Sequence, residues 1–94
     1  MYIISLNYKV DLSVMDEARP KHIEWLKSHY DTGLFIASGR KIPPTGGIIL
    51  CRSISRSKLE GILSTDPFAT QNLATYEIIE FDPVMTCPEL SGIK

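Results

Sequence analysis

The 94-residue sequence has two cysteines, one tryptophan and no long apolar run. Cys51 and Cys87 are too few and too far apart for a disulfide framework or a paired-cysteine zinc motif, so we expect two free thiols. No apolar stretch approaches the about 20 residues that a membrane-spanning helix needs. The N-terminal "MYIISLNYKV" also lacks a basic start and a cleavage site. These absences predict a cytoplasmic protein with no membrane partner.

Neither sign of charge predominates, since 10 basic and 11 acidic residues give a net charge of −1. The basic residues are scattered, so a nucleic-acid partner is not expected. The "TGG" stretch (45–47) lacks the lysine and the spacing of a phosphate-binding loop. His22 and His29 are seven residues apart, which is not the spacing of a helical metal site. We therefore expect no metal and no other cofactor.

The apolar pattern predicts four strands and two main helices. The strands are expected over residues 2–8, 34–40, 46–51 and 75–81. The order strand, helix, strand, strand, helix, strand is that of a ferredoxin-like βαββαβ sandwich of the α+β class. We expect one domain over residues 1–82 and an irregular tail over 83–94.

Proline and glycine mark the expected limits of the first helix. Ser13 and Asp16 resemble a capping box, although aspartate replaces the usual glutamate or glutamine. Pro20 should separate a short leading turn from a main helix that begins near Arg19 or Pro20, because proline cannot donate to the helical ladder. Gly33 should end this helix in a left-handed conformation.

The segment "LSTDPFA" (63–69) follows the second helix, which Ser55 is expected to cap. The Asp66-Pro67 step should end that helix, because the residue before proline avoids helical geometry. A short helical turn over 67–72 should follow, with Asp66 as its cap. Two interpretations of Asp66 stay open: it is a cap alone, or it also orients another side chain.

Helices cover only one face of such a sheet, and the other face is expected to be apolar. Its expected members are Ile3, Phe35, Ala37, Ile79 and Phe81, or the residues that alternate with them. This is too much apolar surface to leave in water. We therefore expect a homodimer in which a second copy covers the sheet, burying about 2,000 Å² in total.

Each candidate functional residue also has a plain structural interpretation. His22 precedes Leu26 by one helical turn, so it is either a core-edge histidine or a base beside the buried face. Ser38 and Gly39 at a strand end could simply make a turn. Arg19 could be a solvated side chain.

Four stretches resemble the YciI-like (YCII-related) family over residues 1–82. They are "RPKHIEWL", "GLFIASG", "TGGIIL" and "DPFATQNLATYEIIEF". The resemblance implies a dimeric α+β barrel, in which two ferredoxin-like sheets pack face to face. It also implies an active site built on a histidine–aspartate pair with a nearby serine, which here are His22, Asp66 and Ser38. Arg19 and Gly39 belong to the same motifs and are expected to bind substrate.

The resemblance and the chemistry of these residues together predict a small-molecule enzyme. Histidine is a usable general base near neutral pH, and a carboxylate on one ring nitrogen fixes its tautomer. Tyr8, Trp25 and Phe68 are expected to supply apolar walls for a flat ring. Isomerase or dehydrochlorinase-like lyase chemistry on a small cyclic or phenolic metabolite fits a base that works without a cofactor. The alternative is a non-catalytic ligand-binding or accessory module of the same fold.

Overall fold

A four-stranded antiparallel sheet carries the helices on one face. The computed structural model describes residues 1–93. The elements are β1 (Tyr2–Tyr8), α1 (Leu12–Asp31), β2 (Phe35–Arg40), β3 (Gly46–Cys51), α2 (Arg56–Leu63), α3 (Pro67–Thr70), β4 (Ala74–Glu80) and a 3₁₀ helix (Pro88–Ile93). The strand order is β2-β3-β1-β4, and each neighbouring pair is antiparallel. This confirms the predicted ferredoxin-like α+β architecture.

The core lies between the sheet and the helices. Alternate residues of β1 point toward the helices because side chains of a strand alternate between its faces, and Tyr2, Ile4 and Leu6 are fully buried. On α1 the buried positions recur every three or four residues, at Met15, Ala18, His22 and Trp25. His22 therefore belongs to the buried stripe of α1 and faces the sheet.

Helix α1 starts earlier than the sequence suggested. It begins at Leu12 after the N-cap residue Asp11, whose side chain makes no capping hydrogen bond. Ser13 lies inside the helix, so the predicted capping box is wrong. Pro20 also lies inside the helix and does not separate a leading turn from it. Pro20 is exposed, so water can bond the carbonyl group that the missing N–H leaves unpaired. Despite the length of α1, no helix within residues 1–93 is both long and apolar enough to cross a membrane.

Three local predictions from the sequence are confirmed. Gly33 has a φ of 79°, the left-handed conformation expected just after α1. The Ser55 hydroxyl accepts a hydrogen bond from the Lys58 amide and caps α2. Asp66 caps α3, and Pro67 occupies its first position. The helix that Asp66 caps is thus the four-residue α3, which follows the end of α2 at Leu63.

The sheet face turned away from the helices carries an apolar row beside Ser5 and Glu77, and Phe35 does not belong to it. The register between β2 and β3 shifts between Phe35 and Ala37. A bulge of this kind breaks the alternation of side chains, so the two residues point to opposite faces. Phe35 is buried in the core, against our prediction. Ala37 pairs with Leu50 and shares the outer face with it.

We define the outer face by the apolar residues that point away from the helices: Ile3, Ala37, Ile48, Leu50 and Ile79. In the register of the sheet, Ile3 lies between Leu50 on one side and Ile79 on the other. Because Leu50 is in turn next to Ala37, one apolar row crosses all four strands. The predicted member Phe81 lies just past the end of β4 and is 40% exposed.

The C-terminal segment is more regular than predicted. Residues 83–94 were expected to be irregular, but Pro88–Ile93 form a 3₁₀ helix. The Arg52 guanidinium donates to the Gly92 carbonyl oxygen at 3.4 Å, which connects this helix to the end of β3. This 3₁₀ helix could not be predicted from the local sequence, since its contact is to a residue 40 positions away.

The two thiols should differ sharply in reactivity. Cys51 is fully buried, and burial raises the pKa of its thiol to about 11, whereas Cys87 is exposed. Since the thiolate is the reactive form, we expect Ellman's reagent to modify one thiol in the folded protein and two after unfolding in urea. The Cys87→Ser variant should show no fast-reacting thiol. Two fast-reacting thiols in the folded wild-type protein would contradict the burial of Cys51.

Candidate active site

His22 is held by aromatic packing on the buried side of α1. Its imidazole stacks on the Phe68 ring with centroids 3.9 Å apart and planes 8° from parallel. The Trp25 ring lies on α1 one turn further along, with its centroid 5.7 Å from the imidazole. The residue is 9% exposed. This packing leaves the ring little freedom to rotate, which a positioned base requires.

Asp66 is fully buried. Both its backbone and its side chain are held in one conformation. Its φ and ψ of −60° and 129° are extended, the conformation that the following Pro67 favours. One carboxylate oxygen, Oδ1, accepts a hydrogen bond from the Phe68 amide at 3.0 Å. This is the capping contact that the sequence predicted.

The same oxygen also contacts His22. The Asp66 Oδ1 to His22 Nδ1 distance is 2.7 Å, so the predicted histidine–aspartate contact is confirmed. A carboxylate accepts, and therefore Nδ1 carries the proton of this hydrogen bond. In the neutral imidazole, Nε2 then holds the free lone pair. Nε2 makes no hydrogen bond with any residue between 1 and 93, so it is the nitrogen left for a ligand. Asp66 is thus a helix cap and an orienting residue at once.

Tyr76 is the third side chain of this hydrogen-bond network, and it was not predicted from the sequence. Its hydroxyl donates to the second carboxylate oxygen, Asp66 Oδ2, at 2.5 Å. Burial, together with the hydrogen bond to Asp66 and its charge, raises the pKa of Tyr76, so the hydroxyl stays protonated and remains a donor. The available signal was the alternation in β4, which puts Tyr76 on the helix-facing side with Ala74 and Ile78. A tyrosine there needs a polar partner for its hydroxyl group.

A cavity of about 260 Å³ opens in front of the imidazole, between α1 and the ends of β1, β2 and β3. Its apolar lining consists of Leu6, Ile23, Leu26, Ile49 and Phe68, together with Ile48, whose side chain points to the outer face. Its other lining residues are Tyr8, Arg19, His22, Ser38, Gly39, Arg40 and Gly47. The structure therefore gathers six predicted site residues around one space, and Asp66 lies behind His22. Trp25, which we expected to form a wall, does not line the cavity; its indole N–H donates to the Thr65 hydroxyl at 2.9 Å.

Ser38 lies on the cavity wall but makes no hydrogen bond to His22 or Asp66. Its hydroxyl oxygen accepts from the Tyr30 hydroxyl at 2.7 Å. The Ser38 proton is then free to donate to a ligand. Ser38 is not arranged as an activated serine nucleophile, because the base that would activate it is not in contact with it.

His29 has a different environment from His22. Its ring packs against Trp25 and Phe35, with centroids 5.1 and 5.0 Å away, and it does not line the cavity. Burial lowers the pKa of His29. Within residues 1–93, no group of three or more histidine, cysteine, aspartate or glutamate side chains is arranged to hold a metal ion.

Comparisons with known proteins place this geometry in a family. The model of the YCII-related domain matches residues 1–82. Among solved structures, the chain is similar to 5-chloro-2-hydroxyhydroquinone dehydrochlorinase from Burkholderia phenoliruptrix AC1100, in complex with 2,5-dihydroxybenzoquinone. The TM-score is 0.72 at 14% sequence identity, over 87% of this chain and 94% of the other. No curated protein matches the chain. The structural likeness supports the fold, and the family model shows that this chain belongs to the YCII-related domain family.

Proposed function

We propose that this protein is a small-molecule enzyme in which His22 transfers a proton to and from a bound ligand. The observation that carries the proposal is the buried hydrogen bond between Asp66 and Nδ1, which leaves Nε2 free beside the cavity. Asp66 holds the tautomer and stabilises the imidazolium that forms when Nε2 takes a proton. Such a general base contributes about 10²–10⁴-fold to a rate.

The proton balance allows two outcomes after the first transfer. Nε2 takes a proton from a C–H or O–H group of the ligand, and the electron pair of that bond enters the ligand's π system. In an isomerisation, His22 returns the proton to another atom of the ligand. In an elimination, a leaving group such as chloride departs with its electron pair, and His22 later releases its proton to water. Both reactions need a single base and no second catalytic group.

A small cyclic or phenolic compound fits the cavity best. An apolar cavity of about 150 Å³ already accepts benzene, so 260 Å³ holds one ring with a few substituents. Tyr8 and Phe68 would form walls for the ring, and Ser38 would donate to an oxygen substituent. Gly39 has no side chain, and its backbone is part of the cavity lining. The similar dehydrochlorinase acts on a compound of this size and was solved with another.

Incubation with 5-chloro-2-hydroxyhydroquinone tests the proposal directly. Chloride release is measured with the wild-type protein and with buffer alone. A parallel NMR experiment in D₂O follows the exchange of the ring hydrogens of 2,5-dihydroxybenzoquinone, which reports proton abstraction even without net reaction. Protein-dependent release or exchange supports the enzyme. Binding of either compound at His22 with neither effect favours the alternative, a module that binds ligands without transforming them.

We also propose that two copies pack through their outer faces to form the dimeric barrel. The apolar row through Ala37, Leu50, Ile3 and Ile79 supports this, because about half of the Ile79 surface is open to solvent in the single chain. An apolar surface that spans a whole sheet is typical of an interface. A second copy would cover it with the same surface, as a two-fold interface requires.

The Ile79→Lys substitution should convert the dimer into a monomer, because it would place two lysine charges in the apolar row between the copies. Light scattering coupled to size exclusion measures the result at micromolar concentration. Ile42→Lys is the matched control: Ile42 is 99% exposed in the loop between β2 and β3 and lies off the outer face, so this variant should stay dimeric. A wild-type protein that is already monomeric would overturn the dimer.

A further inference from the structure

The charged side chains on the cavity wall are of one sign. Arg19 and Arg40 line the cavity, and no aspartate or glutamate is among its lining residues. The carboxylate nearest to the imidazole, Asp66, is fully buried behind His22 and is occupied by three donors. A ligand in the cavity can therefore contact the guanidinium groups directly. It cannot contact the Asp66 carboxylate, because the imidazole lies between them.

One carboxylate outside the cavity offsets part of this charge. Asp16 contacts the Arg19 guanidinium through Oδ1, and the same oxygen is 3.7 Å from Arg40 Nη2. The Asp16 side chain is 61% exposed, so its charge is well solvated. A single carboxylate shared by two guanidinium groups leaves one positive charge in excess on this wall.

The Arg19 guanidinium also carries an unsatisfied donor. Its Nη2 nitrogen is shielded from solvent and makes no hydrogen bond of normal geometry with residues 1–93, although the Tyr8 hydroxyl lies close to the guanidinium. Buried polar groups normally have partners, because an unpaired donor loses its hydration without a replacement. A bound acceptor, above all an ionised oxygen, would satisfy this nitrogen, and a neutral apolar ring would not.

We propose that the ligand is a singly charged organic anion about the size of one ring, whose ionised oxygen is bound by Arg19 and Arg40. This rests on the proposed function and specifies the charge of its ligand. The oxygen is that of a carboxylate or of a phenolate, since both present the same charged acceptor to a guanidinium group. Ser38 donates to a second oxygen, and the apolar wall takes the ring.

Pairs of probes that differ in charge test this proposal. Benzoate and benzamide have nearly the same shape, but only benzoate is charged. 4-Nitrophenol tests the phenolate as the source of the ionised oxygen. Its affinity is measured at a pH below and a pH above its pKa, where it is neutral and charged respectively. Binding is followed by NMR through the carbon-bound protons of the His22 ring, with the melting temperature of each variant as a check on folding. Wild-type protein should bind benzoate or 4-nitrophenolate at least about tenfold more tightly than the neutral partner.

Variants then assign the preference to Arg19. Arg19→Gln should abolish the preference for the anion and leave the affinity for benzamide unchanged, and Arg19→Lys should restore part of it. Arg56→Gln is the control: it removes the same charge from α2, where Arg56 is half exposed and pairs with Glu60, and should keep the full preference.

Several outcomes overturn the anion proposal. Equal wild-type affinity for benzoate and benzamide would do so. An equal loss of affinity for both probes in Arg19→Gln would also overturn it, as would a loss of the anion preference in Arg56→Gln as large as that in Arg19→Gln. If a neutral ring binds at His22 as tightly as the anion, the proposed charge of the ligand is wrong, while the proposed proton transfer stands. If no probe of either charge perturbs the His22 signals, this site does not bind ring anions and the anion proposal fails, while the proton transfer is decided separately by the chloride-release and hydrogen-exchange experiments.

Discussion

The His22→Gln substitution should lower the turnover of a transformed ligand by about 10²–10⁴-fold, while its affinity changes by less than about threefold. Glutamine keeps an N–H donor that can reach Asp66, so the buried carboxylate stays paired. It has no nitrogen that can take a proton, whereas Nε2 of His22, which makes no hydrogen bond within residues 1–93, is the proposed base. Turnover and affinity are measured separately, by product formation and by titration calorimetry.

His29→Gln is the matched control for this experiment. It makes the same chemical change on the same helix, but its ring packs against Trp25 and Phe35 and does not line the cavity. Turnover should stay at the wild-type level in this variant, with some loss of stability. A ligand affinity that falls as steeply as turnover in His22→Gln would indicate that His22 binds the ligand and does not act as a base.

The Asp66→Ala substitution should destabilise the fold by about 3–5 kcal/mol, because three donors would lose their only acceptor. These donors are His22 Nδ1, the Phe68 amide and the Tyr76 hydroxyl. All three are at a site that excludes water, so solvent cannot replace the carboxylate without opening the structure. Urea unfolding followed by circular dichroism gives the free energy of unfolding.

Ser55→Ala separates the role of a cap from the role of the pair. Ser55 caps α2 through one hydrogen bond to the Lys58 amide, at 3.3 Å, and its loss should cost about 1 kcal/mol. Tyr76→Phe removes only the donor to Oδ2. Its loss in the free energy of unfolding should lie between those of Ser55→Ala and Asp66→Ala. If Asp66→Ala costs no more than Ser55→Ala, then Asp66 acts as a cap and the His22 contact adds nothing to stability.

The contact between His22 and Asp66 was implied by the family resemblance, and the local signal of each residue made it geometrically available. Helical spacing put His22 at the buried edge of α1, and the Asp-Pro step fixed Asp66 at a helix start. The ferredoxin-like topology then brought the two elements together. Tyr76 could not be assigned in this way, because its role depends on a hydrogen bond across the fold rather than on its neighbours in the sequence.

The errors have the same origin. Simple alternation put Phe35 and Ala37 on one face of β2, but the bulge between them depends on pairing with β3, which the sequence of β2 alone does not encode. Pro20 suggested a break in α1, yet the packing of Met15 and Ala18 against the core stabilises the turns before it. In both places a tertiary contact outweighs a local preference.

The Asp66 carboxylate joins α1, α3 and β4, whose contributing residues are 22, 68 and 76. No one of these elements can fray without breaking a hydrogen bond to the same buried group. The opening of this site is therefore a subglobal event that disrupts several elements together, and the Phe68 amide should exchange with solvent only when such an event occurs. An imidazole held in this way cannot swing out of the site to meet a ligand. The ligand must come to the base, through the mouth of the cavity that the ends of the strands leave open.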